Sequence, residues 1–282
     1  MKMVGSVSLL IVLLLTSLCS PSEVSQSVEG KQEIKKSGVT ATYIGNEGVL
    51  LSAGDKQVLI DGLHREYKPD YAFPPPALLS SLESATAPYD RIRLILVTHL
   101  HLDHFHPVSV GRHLKNNPRA ELVSSEQIAE GMKKDFEGFA GIESRVKRFP
   151  HQWKTKASLN VSGISLTYLG LRHASPQFKW IQNLGYIVEL NGKKFLHVGD
   201  AELSVENFAS LNLRDEKIDV AFLPYWFLLS PADRKIVESQ IGPREVVAVH
   251  VSPADAANVA AQVEAAYPKA HTFTRILEVK DF

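Results

Sequence analysis

The residues best equipped for chemistry stand in one octet, His99-Leu100-His101-Leu102-Asp103-His104-Phe105-His106, directly after the apolar run Ile92-Arg93-Leu94-Ile95-Leu96-Val97. Four of the chain's 11 histidines and one aspartate fall in it. Imidazole nitrogens and carboxylate oxygens are the donors preferred by zinc and neighbouring transition ions, three or four of them converging at about 2.0–2.2 Å. In extended backbone, residues two apart face the same side, so His99, His101 and Asp103 share a direction and His104 needs a turn of the chain. A turning loop can serve two adjacent ions, whereas a straight strand would serve one. The alternative is a histidine-rich surface loop or a set of core histidines. Three histidines and an aspartate within six residues of a strand end favour metal chemistry over that alternative, and the reading is a metalloenzyme.

The spacing His-x-His-x-Asp-His after a core strand resembles the signature of the metallo-β-lactamase superfamily, and later segments follow that family's order. The run from Ile164 to Arg172 ends in His173. The segment Lys194-Phe195-Leu196-His197-Val198-Gly199-Asp200 is a short apolar strand closed by Gly-Asp, and Val246-Val247-Ala248-Val249 ends in His250. Singly these are weak signals, since Gly-Asp is also a common turn and strand-end histidines have many uses. Their order after the octet gives them weight. The resemblance runs from about residue 38 to the C-terminus. It implies an α/β fold of the αββα sandwich type, two β-sheets flanked by helices, holding two divalent metal ions, with Zn2+ the expected metal. It also implies the ligands: His99, His101 and His173 for one ion, Asp103, His104 and His250 for the other, and Asp200 between them. Two ions about 3.5–4 Å apart acidify a shared water and polarise a carbonyl or phosphoryl oxygen. Asp103 would also orient that water and accept its proton, and Asp61 resembles the family's strand-end aspartate that braces the metal loop.

The other candidates carry less. His197 lies mid-strand, matches no ligand position, and reads as a core residue or one standing behind the ligands. His106, His113, His151 and His271 read as surface or loop histidines, with His106 the nearest to the site. His64 could reach the site or face solvent. Tyr225, in Leu223-Pro224-Tyr225-Trp226-Phe227, is a candidate proton donor to the leaving group, but an aromatic core role is favoured. Phe178 and Trp180 form either an apolar lip over the metals or ordinary packing.

These residues need a frame to position them. The segments Val39–Ile44, Gly48–Ser52 and Gln57–Asp61 read as three short strands, the last two joined through Gly54 and Asp55. Ser124 and Gln127 suggest a capping box opening a helix to about Phe136. Ser230-Pro231 and Ser252-Pro253 each place a capping hydroxyl before a proline at a helix start. In the last helix Val259, Val263, Ala266 and Tyr267 share a face that should pack on a sheet.

A chain of 282 residues with 44% hydrophobic content can build one sizeable core, and its 31 basic and 31 acidic side chains cancel. That balance argues against nucleic acid as a partner; the basic stretches Lys133-Lys134 and Arg145-Val146-Lys147-Arg148 read as solvated structure. Residues 1–19 read as an export signal, with Lys2 ahead of an apolar run too short for a permanent span. Residues 20–37, rich in Ser, Glu, Gln and Lys, read as a flexible linker, and 38–282 as the hydrolase domain. Cys19 is the only cysteine, which excludes a disulfide. It resembles a lipoprotein attachment site, but Leu18 stands where such sites carry a small residue. The expected location is periplasmic or extracellular, with peripheral membrane attachment if Cys19 is lipidated.

Within the superfamily, diiron redox relatives use Glu where this chain has His101, and RNA-processing relatives work on a polyanion that a neutral, exported chain would not favour. True β-lactamases generally lack the bridging Asp200, while thiolester hydrolases keep it. Tyr43-Ile44-Gly45-Asn46, the strand ending in Gly199-Asp200, and Asp219-Val220-Ala221-Phe222-Leu223-Pro224 look most like the branch of sugar-phosphate lactonases and the N-acyl phosphatidylethanolamine phospholipase. The expected function is hydrolysis of an ester, lactone or phosphodiester in a small-molecule or lipid substrate. The alternatives are a β-lactamase or thiolester hydrolase of the same fold, or a metal-binding or scaffold protein without turnover.

Overall fold

The computed structural model describes residues 38–282; the expected leader and linker, with Cys19, lie outside the described residues. Hydrophobic alternation puts the strands into two seven-stranded sheets. The first is built from β1 (Thr40–Gly45), β2 (Gly48–Ala53), β3 (Lys56–Ile60), β4 (Ile92–Leu96), β5 (Glu121–Ser125) and β6 (Val146–Phe149). The second holds β7 (Lys156–Val161), β8 (Ile164–Leu171), β9 (Asn183–Leu190), β10 (Lys193–His197), β11 (Val220–Pro224), β12 (Glu245–Val249) and β13 (Ala270–Thr272). The last strand, β14 (Val279–Asp281), returns to the edge of the first sheet beside β1.

Each sheet is antiparallel in one half and parallel in the other. Strands β14-β1-β2-β3 and β7-β8-β9-β10 run antiparallel, while β3-β4-β5-β6 and β10-β11-β12-β13 run parallel. Parallel strands need long crossovers, which here carry the helices. Alternate residues feed different cores: Val58 and Ile60 of β3 and Phe222 of β11 meet between the sheets, whereas Leu59 and Leu223 face outward. Outside the first sheet lie α1 (Pro76–Glu83), α2 (Pro107–Asn116) and α3 (Glu126–Asp135), bringing Leu82, Leu114 and Ile128 to its outer face. Outside the second lie α4 (Val205–Phe208), α5 (Pro231–Ile236) and α6 (Ala256–Ala266), bringing Phe208 and Val263. The result is the expected αββα sandwich. No helix among the described residues is long and apolar enough to cross a membrane.

Several local expectations need correction. The Ser124–Gln127 capping box does not form: β5 extends through Ser125, so the Ser124 hydroxyl donates to the Val97 carbonyl at 2.6 Å instead. The Gln127 side chain pairs with the 180–182 segment, donating to the Trp180 carbonyl at 2.8 Å and accepting from the Gln182 amide at 2.8 Å. Ser230 caps α5 as read, accepting from the Asp233 amide at 3.0 Å. Ser252 does not cap a helix, because α6 starts later, after Asp255. Its inward face, Val259 and Val263, is the one anticipated. His113 is not a surface residue; it is fully buried on α2, donating through Nδ1 to the Leu82 carbonyl at 2.6 Å.

Candidate metal centre

The parallel strands end at one edge, and their C-terminal loops converge there. The octet follows β4, Asp200 follows β10 and His250 follows β12, while His173 follows β8 from the antiparallel half. Gly199 makes the approach possible. Its φ is +57°, and a Cβ there would sit 2.8 Å from Thr98, across the gap between the sheets. The octet does turn at its end, as His104 requires: the amides of His104 and Phe105 both bond the His101 carbonyl at 3.0 Å.

All seven candidate ligands gather. His99, His101, His173 and Asp200 present donor atoms within 4.8 Å of one another, and so do Asp103, His104 and His250. Asp200 divides itself between the groups. Its Oδ2 lies 3.8 Å from His99 Nε2 and 3.5 Å from His173 Nε2, and its Oδ1 lies 3.4 Å from both His104 Nε2 and His250 Nε2. Asp103 Oδ2 closes the second group at 3.4 Å from His104 Nε2 and 3.6 Å from His250 Nε2. Donors about 2.1 Å from one ion in a tetrahedron stand about 3.4 Å apart. The observed spacings fit that figure.

The protonation pattern fits a cation too. Burial, then the neighbouring His104, holds the His99 imidazolium well below its usual range, and burial with His173 beside it pushes His101 down to about 4. Both rings are thus neutral and offer lone pairs. For His99 the direction is fixed: Thr98 Oγ1 donates to Asp61 Oδ2 at 2.6 Å and so receives the His99 Nδ1 proton at 3.0 Å, which leaves the lone pair on Nε2, 3.0 Å from His101 Nδ1. Burial opposes ionisation of Asp103 and Asp200, but the imidazoles of His104 and His250 hold both carboxyls down, Asp103 to about 2. Burial opposes charge on His104 and His250 as well, and the carboxylates, Asp200 foremost, nevertheless raise them. A cluster whose anions draw in protons this strongly draws in metal cations for the same reason. His173 Nε2 and Asp200 Oδ1 are buried with no hydrogen-bond partner among the described residues.

Behind the ligands, Asp61 is buried at φ +46° and accepts from His104 Nδ1 at 2.9 Å and from the Thr98 amide at 2.8 Å. His250 is also left-handed, at φ +63°, its amide donating to the Asn46 carbonyl at 3.0 Å. Non-glycine residues held this way cluster where geometry matters more than backbone ease. His197 donates to the Glu47 carbonyl at 2.9 Å and ties β10 to the β1–β2 turn. His64 neither reaches the ligands by hydrogen bond nor faces solvent; it is buried against the Gly45 carbonyl at 3.2 Å, and burial pushes it down to about 4. His106 is half-buried, and burial, then the Arg65 guanidinium, lowers its pKa. His151 bonds the Leu171 carbonyl and His271 bonds Glu278, each away from the ligand cluster.

Sequence reasoning missed three neighbours of the site, Asn46, Glu47 and Tyr71, while Trp226 adjoins it from the segment already marked at Tyr225. Asn46 donates through Nδ2 to Asp103 Oδ2 at 2.8 Å. Glu47 is fully buried, 4.0 Å from His104 Nδ1, with neither carboxyl oxygen hydrogen-bonded among the described residues; burial and then Asp200 push it up to about 8. Tyr71 and Trp226 meet the His250 ring edge-on, at 5.5 and 4.9 Å. The only advance signal was the Gly45-Asn46-Glu47-Gly48 turn itself, polar residues between glycines at a strand end. Of the aromatic candidates, Phe178 borders His101 at 4.7 Å and His173 at 5.3 Å, whereas Trp180 is 61% exposed. Tyr225 packs on Trp226 at 5.4 Å, the aromatic role favoured from sequence.

Fold and site together define a metal-dependent hydrolase of the metallo-β-lactamase fold. The chain belongs to the β-lactamase superfamily: the family model described as "Beta-lactamase superfamily domain" matches residues 59–269. It is 26% identical over 220 residues to a "UPF0173 metal-dependent hydrolase" of Thermococcus onnurineus, covering 75% of this chain and 84% of that one. A protein of the same description from Thermus thermophilus is 30% identical over 220 residues, 75% of this chain and 83% of its own. Among solved structures, a metallo hydrolase of Ignicoccus hospitalis superposes with a TM-score of 0.58 at 19% identity, over 87% of this chain and 99% of that one.

Proposed function

We propose that this chain is an exported hydrolase with a dinuclear metal centre, most simply two zinc ions, that cleaves an ester, lactone or phosphodiester. The observation that carries the dinuclear reading is the divided carboxylate of Asp200, one oxygen facing each ligand group at 3.4–3.8 Å. Under this reading His99, His101 and His173 would hold one ion, Asp103, His104 and His250 the other, and Asp200 would be shared. Bound divalent ions supply Lewis acidity toward the substrate oxygen and acidify water toward neutrality.

The chain's own residues do the rest. Asp103, ionised and pinned by the Asn46 amide, orients the attacking water and takes its proton. The water's oxygen bonds to the carbonyl carbon or phosphorus, the bond to the leaving oxygen breaks, and the proton passes to that oxygen. Asp61 and Thr98 fix the tautomers of His104 and His99, so that the Nε2 lone pairs point inward. Phe178 on one side and Trp226 and Tyr71 on the other limit water to the approach between them.

The substrate is a small molecule or a lipid, not nucleic acid, and the neutral charge balance supports this. The motifs shared with the lactonase and phospholipase branch favour that neighbourhood over β-lactams. Peripheral membrane attachment belongs to the same reading only if Cys19 is lipidated. The test is elemental analysis of the purified chain, together with turnover of lactones, β-lactams, thioesters and bis(p-nitrophenyl) phosphate. Two ions per chain and turnover of a lactone or phosphodiester are expected; full metal loading without hydrolysis of any of them would favour a binding protein instead.

A further inference from the structure

The metal centre has an apolar annex. Tyr71, whose ring abuts His250, also lines a cavity of about 520 Å3. That volume is in the range that takes a small-molecule group. Tyr43, Phe73, Phe273 and Ile276 furnish its apolar lining, and Glu66 is its one charged lining residue. Tyr43 and Phe273 are almost fully buried and stack at 5.2 Å, which makes a fixed floor. Pro69, Pro75, Pro76 and Pro253 stand in the walls, and their fixed φ keeps the surrounding loops from collapsing into the space. Val251, next to His250 in the chain, lines it too, so the cavity adjoins the ligand cluster through two of its wall residues.

The far side of the centre is bordered differently. There Phe178 closes edge-on against His101 and His173. A substrate whose reacting group sits at the ligands can extend past Tyr71 into this apolar space.

We infer that this cavity binds an apolar acyl or alkyl arm of the substrate, with Tyr71 the partition between that arm and the reacting bond. The inference rests on the hydrolytic reading above and narrows its substrate class to esters or lactones bearing a hydrocarbon arm. Ala72 and Phe73 line the cavity, so changing their size changes the room available to the arm.

The test uses binding as well as turnover. Straight-chain carboxylates from acetate to octanoate are titrated into the metal-loaded protein by calorimetry, the carboxylate serving as the polar end. Each methylene buried should tighten Kd about fourfold until the cavity is full. Ala72→Leu should end that gain at a shorter chain and Phe73→Ala should extend it; opposite shifts cannot both come from misfolding. Affinity independent of chain length, or one profile shared by wild type and both variants, overturns the assignment. Chain-length-dependent binding without hydrolysis of any ester keeps the cavity and removes the hydrolytic reading, while hydrolysis with flat binding does the reverse.

Discussion

The two sheets contribute to the metal centre in opposite ways. The first supplies four candidate ligands from one loop, His99 to His104, after a single strand. The second supplies three from three separate strand ends, at His173, Asp200 and His250. The concentrated set is held by local chemistry: Asp61 receives protons from both Thr98 and His104, and Asn46 fixes Asp103. The dispersed set is held by register. The alignment of β8, β9, β10, β11 and β12 brings its members to one level, with the Asn46 carbonyl holding the His250 amide. His173 shows the contrast, since its Nδ1 meets nothing stronger than the Ser175 amide at 3.2 Å. One half of the centre is thus specified by a motif and the other by a sheet.

The comparison breaks most readily at Asp200, the one residue common to both ligand groups. Asp200→Ala should strip both ions and lower kcat/KM by at least about a thousandfold, beyond what loss of one electrostatic donor costs. His101→Ala removes a ligand from one group only and should leave one ion per chain, with turnover abolished. Metal content and turnover measured on the same samples decide. Two ions retained in the Asp200 variant would refute the shared carboxylate, and unaltered turnover in the His101 variant would refute the site assignment.

A second difference lies in the outer layers. The helices of the first sheet enclose His113, which burial keeps neutral and pushes down to about 4. Because its folded pKa lies below the unfolded value of about 6.5, the unfolded chain takes up the proton first as pH falls. Its contribution is intact above pH 6.5 and is lost between there and about 4, amounting to about 3 kcal/mol. His113→Gln should show a shallower loss of stability over that window. Denaturant titrations at a series of pH values test it, with identical acid profiles for the two proteins counting against the assignment.

The bracing of the motif half gives a smaller effect. Asp61→Asn leaves every ligand in place but weakens the acceptor that sets His104 and, through Thr98, His99. Metal affinity should fall about 10–100-fold. Competition with a chromophoric chelator measures this, and affinity equal to the wild type would show that the loop needs no brace.

How far the centre could be read from sequence follows the same division. The octet was legible because its chemistry is contiguous. The strand-end ligands were legible only through their order, since a lone histidine at the position of His173 or His250 serves equally well in a core or a turn. Asn46, Glu47 and Tyr71 were not legible, because their roles arise where the β1–β2 turn and a distant loop fold over the ligands. His113 was misread for a different reason. Histidine is polar enough to suggest a surface, yet Ser109, Val110, His113 and Leu114 follow the helical period of a buried face. The sandwich itself was legible through the family resemblance, and alternate residues of β3, β11 and β12 divide each strand between two cores.

The smallest predicted effect separates two serines that look alike. Ser230 and Ser252 both precede proline, and both carry the pattern of a capping hydroxyl. Only Ser230 finds a helix amide, that of Asp233, because α5 begins at once with Pro231, whereas the chain after Ser252 makes a turn before α6 opens at Ala256. Ser230→Ala should therefore cost about 1 kcal/mol, and Ser252→Ala should stay within about 0.5 kcal/mol of the wild type. Urea denaturation of the two variants compares them directly. Equal losses would mean that the serine-proline pattern stabilises these loops by something other than capping, and that the difference in helix start has no energetic consequence.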